Sequence, residues 1–326
     1  MEQLTGTDSY FLYSERGNVY NHVASLGIYD PSSAPNGKVR FKDILRYFEQ
    51  RLDLSKVFRR RLVTAPHGID RPYWIEDADM DLEFHVRHIA LPEPGDWRQL
   101  MIQVARLHSR PLDRSRPLWE VYVIEGLDRI PGLPTGCFAL FMKFHHASID
   151  GQAGAELLKA VHSLTAEIDA VEHEPRTNYV ERDPATIELV SRAVAHTLDR
   201  ALGVATLTGK TLSKLAGLGV GELARRANPE VGGGESVLPP MSRAPMTRFN
   251  RPVSANRVVD AVALPMSDMK IVRAHIPGAT INDIFLAIVG GALNKYLSAK
   301  QELPEKSMTA LMPISVRQPG QAAGGN

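Results

Sequence analysis

One stretch near the middle of the chain constrains the fold more than any other, because a strongly apolar strand leads almost directly into a helix. The segment GCFALFMKFHH, from Gly136 to His146, has the composition of a buried strand. The segment GQAGAELLKAVHSL, which starts at Gly151, has its apolar residues at helical spacing. A strand that passes into a helix across so short a connection is typical of α/β proteins. We therefore predict an α/β fold.

The residues before this stretch also alternate between predicted strands and helices. Asp96 is expected to cap the helix that follows it, because its carboxylate can accept a hydrogen bond from the first helical turn. The predicted elements are a strand from His22 to Tyr29, a helix from Phe41 that ends no later than Leu62, a strand from Phe84 to Leu91, the helix after Asp96, and a strand from Leu118 to Leu127. Together they predict a first domain over residues 1–165.

The chain changes character after residue 165. Charged and turn-forming residues come first, and residues from Ile187 to Ala227 then show helical spacing interrupted by glycines, so 166–250 is predicted to be a linker and helical connector. Residues 251–326 return to the alternation of predicted strands and helices seen in the first domain. They contain predicted strands at Arg257–Leu264 and Met308–Arg317 and an apolar helix from Ile281, which predicts the first part of a second α/β domain.

The composition excludes several classes of protein. The 38 basic and 37 acidic residues nearly balance, which argues against nucleic acid as a partner. The single cysteine, Cys137, cannot form an internal disulfide bond, and no run approaches the roughly 18 apolar residues that a membrane-spanning helix needs. Because the first residues also lack the pattern of an export signal, we expect a cytoplasmic protein whose membrane contacts are peripheral.

The segment HHASIDG contains the residues with the clearest chemical potential. Side chains alternate along a strand, so only one of His145 and His146 can face a given cavity. Asp150 can cap the following helix, and Gly151 permits a close approach of the backbone. The histidines could instead be structural or bind a metal. A zinc site is disfavoured, since no HExxH or CxxC spacing accompanies them.

The conjunction of these residues resembles the HHxxxDG motif of the coenzyme A-dependent acyltransferase superfamily. PLDRSRPLWE, from Pro111 to Glu120, is similar to the PLDxxRPLWE block of one branch, the bacterial wax ester synthase/diacylglycerol acyltransferases. The openings LTGTDSYFLYSE and NHVASLGIY resemble that family's first segments, although Asn21 and Ala24 depart from its pattern. INDIFLA matches its ND motif, and PISVR matches its PVSxR strand.

The resemblance implies a chloramphenicol acetyltransferase-like fold of two similar sandwich domains, each of mixed sheet and helices, with the second incomplete in this chain. It implies transfer of a long-chain acyl group from acyl-CoA to a fatty alcohol or diacylglycerol, which gives wax ester or triacylglycerol, with no cofactor beyond the acyl-CoA substrate and no metal. Two alternatives stay open: esterification of another hydroxyl, as on a polyketide or glycolipid, or a non-catalytic lipid-surface protein of the same fold.

Acyl transfer to an alcohol needs a base for the hydroxyl proton and donors for the developing oxyanion. The resemblance assigns the base to His146 and mainly structural roles to His145 and Asp150. Asn282, beside Asp283 at the start of an apolar helix, could polarise a carbonyl or position a substrate, or it could simply be the N-cap of that helix.

Four further expectations concern contacts between distant residues or with partners outside this chain. Asp150 is expected to pair with Arg317, because both match blocks of the superfamily and a buried carboxylate needs a partner. Asn282 is expected to lie near His146 at one shared substrate. We also expect a further C-terminal part of the enzyme to pair with the Met308–Arg317 strand, and peripheral contact with the inner membrane face or lipid inclusions.

Overall fold

The computed structural model describes residues 1–149, 151–163, 182–198 and 244–310. These residues form two compact units. The first contains the described residues up to 198 together with Ser254–Val259, and the second contains residues 244–253 and 260–310. In the described ranges, no helix combines the length and the apolar character that crossing a bilayer requires.

The first unit contains two β-sheets and six helices among its described residues. The strands are β1 (Glu2–Gln3), β2 (His22–Tyr29), β3 (Arg60–Val63), β4 (Tyr73–Glu76), β5 (Val86–Ala90), β6 (Trp119–Glu125) and β7 (Phe138–His145). The helices are α1 (Gly6–Tyr13), α2 (Phe41–Glu49), α3 (Leu82–His85), α4 (Trp97–Ser109), α5 (Gly151–Ala160) and α6 (186–198). Short 3-10 turns lie at Pro31–Ser33, Pro35–Gly37, Leu52–Leu54, Lys56–Phe58, Pro66–Gly68 and His146–Ser148.

The larger sheet has the strand order β2-β7-β6-β5, and it carries the HHASIDG segment at the end of β7. Strand β7 pairs antiparallel with both β2 and β6, while β5 and β6 are parallel. Every residue of β7 is buried, because helices cover both faces of this sheet. Helices α2 and α5 pack on the face of Leu140 and Phe144, and α4 packs on the face of Ala139 and Phe141.

The smaller sheet, in the order β1-β4-β3, lies beside α1 and α6. Leu12 of α1 packs with Trp74 of β4 and with Ala147, the residue after the two histidines. On α6, Leu189 packs against Tyr73. The contact between α1 and Ala147 places the first helix of the chain next to the predicted site.

Several predicted elements are confirmed. Strand β2 has the predicted bounds, α4 begins directly after Asp96, and the Asp96 carboxylate accepts a hydrogen bond of 2.8 Å from the backbone N–H of Gln99. The helix predicted from Phe41 ends at Glu49, well before the Leu62 limit, and Cys137 is buried as expected.

Two predicted strands differ from the structure. The segment predicted as a strand from Phe84 to Leu91 begins with the helical turn α3, because the Asp81 carboxylate caps that turn through the backbone N–H groups of Glu83 and Phe84. The strand starts only at Val86. Arg257–Leu264 forms no strand, since no described strand pairs with it despite its alternating sequence.

The second unit has a 3-10 turn at Arg248–Asn250 and two helices, α7 (Met266–Ala274) and α8 (Ile281–Ala299). The Arg248 guanidinium binds the Glu302 carboxylate at 2.8 Å and so ties the segment before α7 to the end of α8. The apolar helix predicted from Ile281 is confirmed. Of the predicted strand Met308–Arg317, only residues 308–310 are described, and they are not in a strand.

Candidate active site

The two adjacent histidines lie where β7 ends and the chain turns. His145 is the last residue of β7, and His146 is the first residue of the His146–Ser148 turn. Gly151 then begins α5, as predicted. The turn is closed by a hydrogen bond from the backbone N–H of Ile149 to the carbonyl of His146. One strand end therefore presents the two imidazoles in different surroundings.

The His145 side chain is buried, and both of its ring nitrogens are occupied. Nδ1 accepts a hydrogen bond of 3.0 Å from the backbone N–H of Ala147, so the proton of the neutral ring lies on Nε2. Nε2 donates that proton to the Glu15 carboxylate at 3.0 Å. Burial lowers the pKa of His145, against the opposing attraction of Glu15. His145 is therefore held neutral and has no nitrogen left to accept a substrate proton.

Glu15 was not among the residues predicted for the site. Its carboxylate also accepts hydrogen bonds from the backbone N–H of Asn21 at 2.7 Å and from the Arg114 guanidinium at 2.6 Å. Burial alone would raise the pKa of Glu15, but these two hydrogen bonds and the nearby charges lower it. The LYSE segment contains Glu15, yet 130 residues separate it from His145, so no local pattern links the two.

His146 has a different environment and is only half buried. Its imidazole stacks on the ring of Phe11 in α1, with 3.9 Å between the ring centroids and 16° between their planes. Nδ1 of His146 is buried and forms no hydrogen bond with any described residue. The backbone N–H of His146 donates to the carbonyl of Asn21 at 2.8 Å. Because Nδ1 is enclosed, Nε2 is the ring nitrogen left for reaction with a ligand.

A second group of histidines lies on the His145 side of the sheet. The ring centroids of His22 and His145 are 5.8 Å apart, and those of His22 and His108 are 6.4 Å apart. A cavity of about 300 Å³ adjoins this group, with Glu15, His22, Arg114 and His145 among its walls. Burial lowers the pKa of His22 to about 3, an effect that the Lys143 charge increases and the Glu15 charge opposes. Burial also lowers the pKa of His108.

The histidine group should make the first unit sensitive to acid. The unfolded chain binds a proton at His22 near pH 6.5, whereas the folded chain does not bind it until about pH 3. Unfolding thus takes up a proton between these values, so the stability from neutral His22 is complete above pH 6.5 and declines as the pH falls. We expect His22→Gln to reduce the slope of unfolding free energy against pH by up to about 1.4 kcal/mol per unit.

Urea unfolding between pH 7 and pH 5, followed by tryptophan fluorescence, measures this slope. All 3 tryptophans (Trp74, Trp97 and Trp119) lie in the first unit, so the signal reports that unit. Exposed His67 supplies the control, because His67→Asn should leave the slope unchanged. Equal slopes for wild type and His22→Gln would show that His22 is not held neutral.

A buried ion pair lies beside His145 in the same sheet. Lys143 is fully buried in β7, and its ammonium binds the Glu120 carboxylate of β6 at 3.2 Å. The ammonium also donates to the carbonyls of Leu107 and Arg110 at the C-terminal end of α4. Burial lowers the pKa of Lys143, and the Glu120 charge opposes that shift. This lysine therefore joins two strands and a helix directly below the histidines.

Asn282 and Asp283 lie in the second unit, in the first turn of α8. The N-cap of α8 is Thr280, whose hydroxyl accepts from the backbone N–H of Asp283 at 3.2 Å. The Asp283 carboxylate in turn accepts from the backbone N–H of Thr280 at 2.8 Å and completes a capping box. The alternative that Asn282 is the N-cap is therefore wrong. Asn282 is exposed in the second unit, and its approach to His146 stays a prediction.

Two of the predicted site residues, Asp150 and Arg317, lie outside the described residues, and so does their expected ion pair. The structure thus brings together His145, His146 and Gly151 of the predicted set, and it adds Glu15 and Phe11. Within the described ranges, no group of three or more histidine, cysteine, aspartate or glutamate side chains could hold a metal ion.

Comparison with known proteins identifies relatives along most of the chain. Two mycobacterial proteins, each named "Putative diacyglycerol O-acyltransferase", align with almost the full length of this chain. The protein from Mycobacterium tuberculosis is 33% identical over 97% of this chain and 63% of its own length, and the one from Mycobacterium bovis is 34% identical over 100% and 67%. The chain thus spans about two thirds of the length of these relatives.

A solved structure supports the predicted fold. The wax ester synthase/diacylglycerol acyltransferase of Marinobacter aquaeolei VT8 superimposes with a TM-score of 0.57 at 26% identity, over 93% of this chain and 63% of that one. This similarity confirms the predicted α/β fold class. The family model described as the wax ester synthase/diacylglycerol acyltransferase catalytic domain matches residues 4–285, a range that includes both histidines and Asn282. The chain therefore belongs to the wax ester synthase/diacylglycerol acyltransferase family.

Proposed function

We propose that the protein transfers a long-chain acyl group from acyl-CoA to the hydroxyl of a fatty alcohol or diacylglycerol, giving wax ester or triacylglycerol. The observation that carries this proposal is the contrast between the two histidines. Both nitrogens of His145 are bonded within the protein, whereas Nε2 of half-buried His146 has no hydrogen bond from any described residue. An imidazole with a free ring nitrogen can act as a general base.

In the proposed reaction, Nε2 of His146 takes the proton from the acceptor hydroxyl as its oxygen attacks the thioester carbonyl. The tetrahedral oxyanion that forms then collapses, the carbon–sulfur bond breaks, and the coenzyme A thiolate takes the proton back from His146. No covalent acyl-enzyme is needed. Cys137 is unsuited to that role because it is buried and burial raises the pKa of its thiol.

Asn282 is proposed to act at the same carbonyl, as an oxyanion donor or a substrate contact. Two observations support this role: Asn282 is exposed, and Thr280 and Asp283 rather than Asn282 cap the helix. The amide side chain is thus left available for a ligand. Acyl-CoA is proposed as the donor, with no further cofactor.

The experiment that tests this function measures acyl transfer directly. Purified protein is incubated with palmitoyl-CoA and, in separate reactions, hexadecanol, a diacylglycerol, or a glycolipid or polyketide with a free hydroxyl. The released thiol is quantified, and the ester is identified by mass spectrometry. We expect thiol release that depends on the acceptor and equals the ester formed. Release only with a glycolipid or polyketide hydroxyl would favour the alternative acceptor class, and no release with any acceptor would contradict the proposal.

We also propose a peripheral association with lipid surfaces. Helix α6 packs inward through Leu189, while Ile187 and Leu198 are 75% and 60% exposed. Such apolar side chains can enter the interfacial region of a bilayer. Ile187→Glu should therefore reduce flotation with anionic liposomes, whereas Ser191→Glu on the same helix should have a smaller effect. Equal flotation of both variants and the wild type would remove α6 as the contact.

A further inference from the structure

The imidazole of His146 lacks the support that usually orients a catalytic histidine. In such residues the nitrogen that does not react is commonly held by a hydrogen bond to a carboxylate or a carbonyl, which fixes the ring. Nδ1 of His146 is buried and has no such partner among the described residues. Among the described residues, a ring contact rather than a hydrogen bond at Nδ1 is what restrains this imidazole.

The ring of Phe11 occupies the face of that imidazole. The two rings are nearly parallel, and their centroids are 3.9 Å apart. The backbone of Phe11 is fixed in turn, because the Asn21 side-chain amide donates to the Phe11 carbonyl at 2.6 Å and to the Ser14 hydroxyl at 2.8 Å. The phenyl ring also packs against the apolar cluster that contains Leu12 and Ala147.

Asn21 links this helix end to the turn that carries the histidine. Its side chain binds the Phe11 carbonyl, and its own carbonyl accepts the backbone N–H of His146. Two consecutive hydrogen bonds through one residue therefore set the separation between the backbones of Phe11 and His146. Asn21 is also a position at which this sequence departs from the family pattern.

We propose that Phe11 is a positioning residue for His146: its ring face holds the imidazole in the one orientation that directs Nε2 outward. This inference rests on the proposed function, in which His146 is the base. Stacked aromatic rings have a geometric preference that restrains tilt. A misplacement of about 1 Å in a reacting group can cost on the order of 10²-fold in rate, so loss of the ring should lower kcat.

The test compares three variants in the palmitoyl-CoA assay. Phe11→Leu should lower kcat by about 10- to 100-fold and change KM by less than about twofold, because in this proposal the ring acts on the rate through His146 and not through the substrate. Phe11→Tyr keeps the stacking face and should retain most of the wild-type kcat. Tyr13→Leu makes the same type of change at a residue of α1 that is 56% exposed, and should have no effect.

A spectroscopic measurement tests the stacking without reference to activity. The ring protons of His146, assigned by their loss in His146→Gln, should show upfield ring-current shifts in the wild type and in Phe11→Tyr, and not in Phe11→Leu. This readout remains decisive if Phe11→Leu folds poorly, because the wild-type spectrum alone shows whether the rings stack. Ordinary proton shifts in the wild type would overturn the proposal.

A failure of the proposed Phe11 role and a failure of the proposed function give different results. A wild-type kcat in Phe11→Leu together with an inactive His146→Ala would refute the role of Phe11 and leave His146 as the base. An active His146→Ala would refute the base, whatever the spectra show. A kcat lowered equally by Phe11→Leu and Phe11→Tyr, with the ring-current shift retained in the tyrosine variant, would show that stacking does not set the rate.

Discussion

Replacement of His146 by alanine should lower acyl-transfer turnover by about 10²- to 10⁴-fold, the usual cost of losing a general base. The fold should survive, because this side chain is half buried and forms no side-chain hydrogen bond with the described residues. The loss of the stacked pair with Phe11 should cost only about 0.5–1.5 kcal/mol. Turnover with palmitoyl-CoA and hexadecanol measures the first effect, and urea unfolding measures the second.

The neighbouring histidine provides the matched control. His145→Ala removes the hydrogen bonds to Glu15 and to the backbone N–H of Ala147, so it should lower the free energy of unfolding as well as the rate. The two alanine variants should therefore separate a catalytic loss from a structural one. A well-folded His146→Ala protein that keeps more than about a tenth of the wild-type rate would contradict the assignment.

The second large effect concerns stability. Lys143→Met keeps the apolar stem but removes the ammonium, which leaves the Glu120 carboxylate and the carbonyls of Leu107 and Arg110 without this donor. Removing one partner of a buried ion pair typically costs about 3–5 kcal/mol when the remaining charge is left uncompensated. The Glu120 carboxylate keeps the Arg87 guanidinium at 3.7 Å and the Tyr122 hydroxyl at 3.3 Å, so the lower end of that range, about 3 kcal/mol, applies here. We expect a loss of that size in the unfolding of the first unit, measured in urea by tryptophan fluorescence.

A double variant shows whether the loss arises from the charge that remains on Glu120. Lys143→Met combined with Glu120→Leu removes both charges, so it should be more stable than Lys143→Met alone, as expected when a buried pair is replaced by apolar residues. A double variant that is less stable than the single variant, or a single variant within about 1 kcal/mol of wild type, would show that packing rather than charge dominates here.

Short-range signals in the sequence predicted the local structure well. The β-branched and small apolar residues of His22–Tyr29 located β2, and the position of Asp96 located the start of α4, because both signals lie in the immediate sequence. The wrong strand start at Phe84 also has a local cause. Asp81 caps a single helical turn there, and its carboxylate competes with an otherwise strand-like composition. Arg257–Leu264 was wrongly predicted as a strand for a different reason. A strand needs a partner strand, and the alternating pattern of one segment cannot specify that partner.

The site was predictable only in part for a related reason. The motif located both histidines, and alternation indicated that they face different surroundings. Phe11 lies in α1 and Glu15 lies just after it, both more than 100 residues before the histidines, and nothing in their local sequence indicates which ring each contacts. The Lys143 pair likewise depends on the alignment of β6 with β7, which places Glu120 opposite Lys143. Such partners become visible only once the strands are paired.

The alignment of β7 with its neighbours has a consequence for the evolution and engineering of this chain. His145 and His146 are chemically identical and adjacent, so a slip of β7 by one residue would put one of them in the place of the other and move the side chains of the strand to the opposite sheet faces. Eight paired positions with β2, together with Lys143, oppose that slip. A single-residue deletion within Phe138–Phe144 should therefore be far less tolerated than any substitution there, whereas a deletion in the turn before Gly136 would leave the phase of the strand intact.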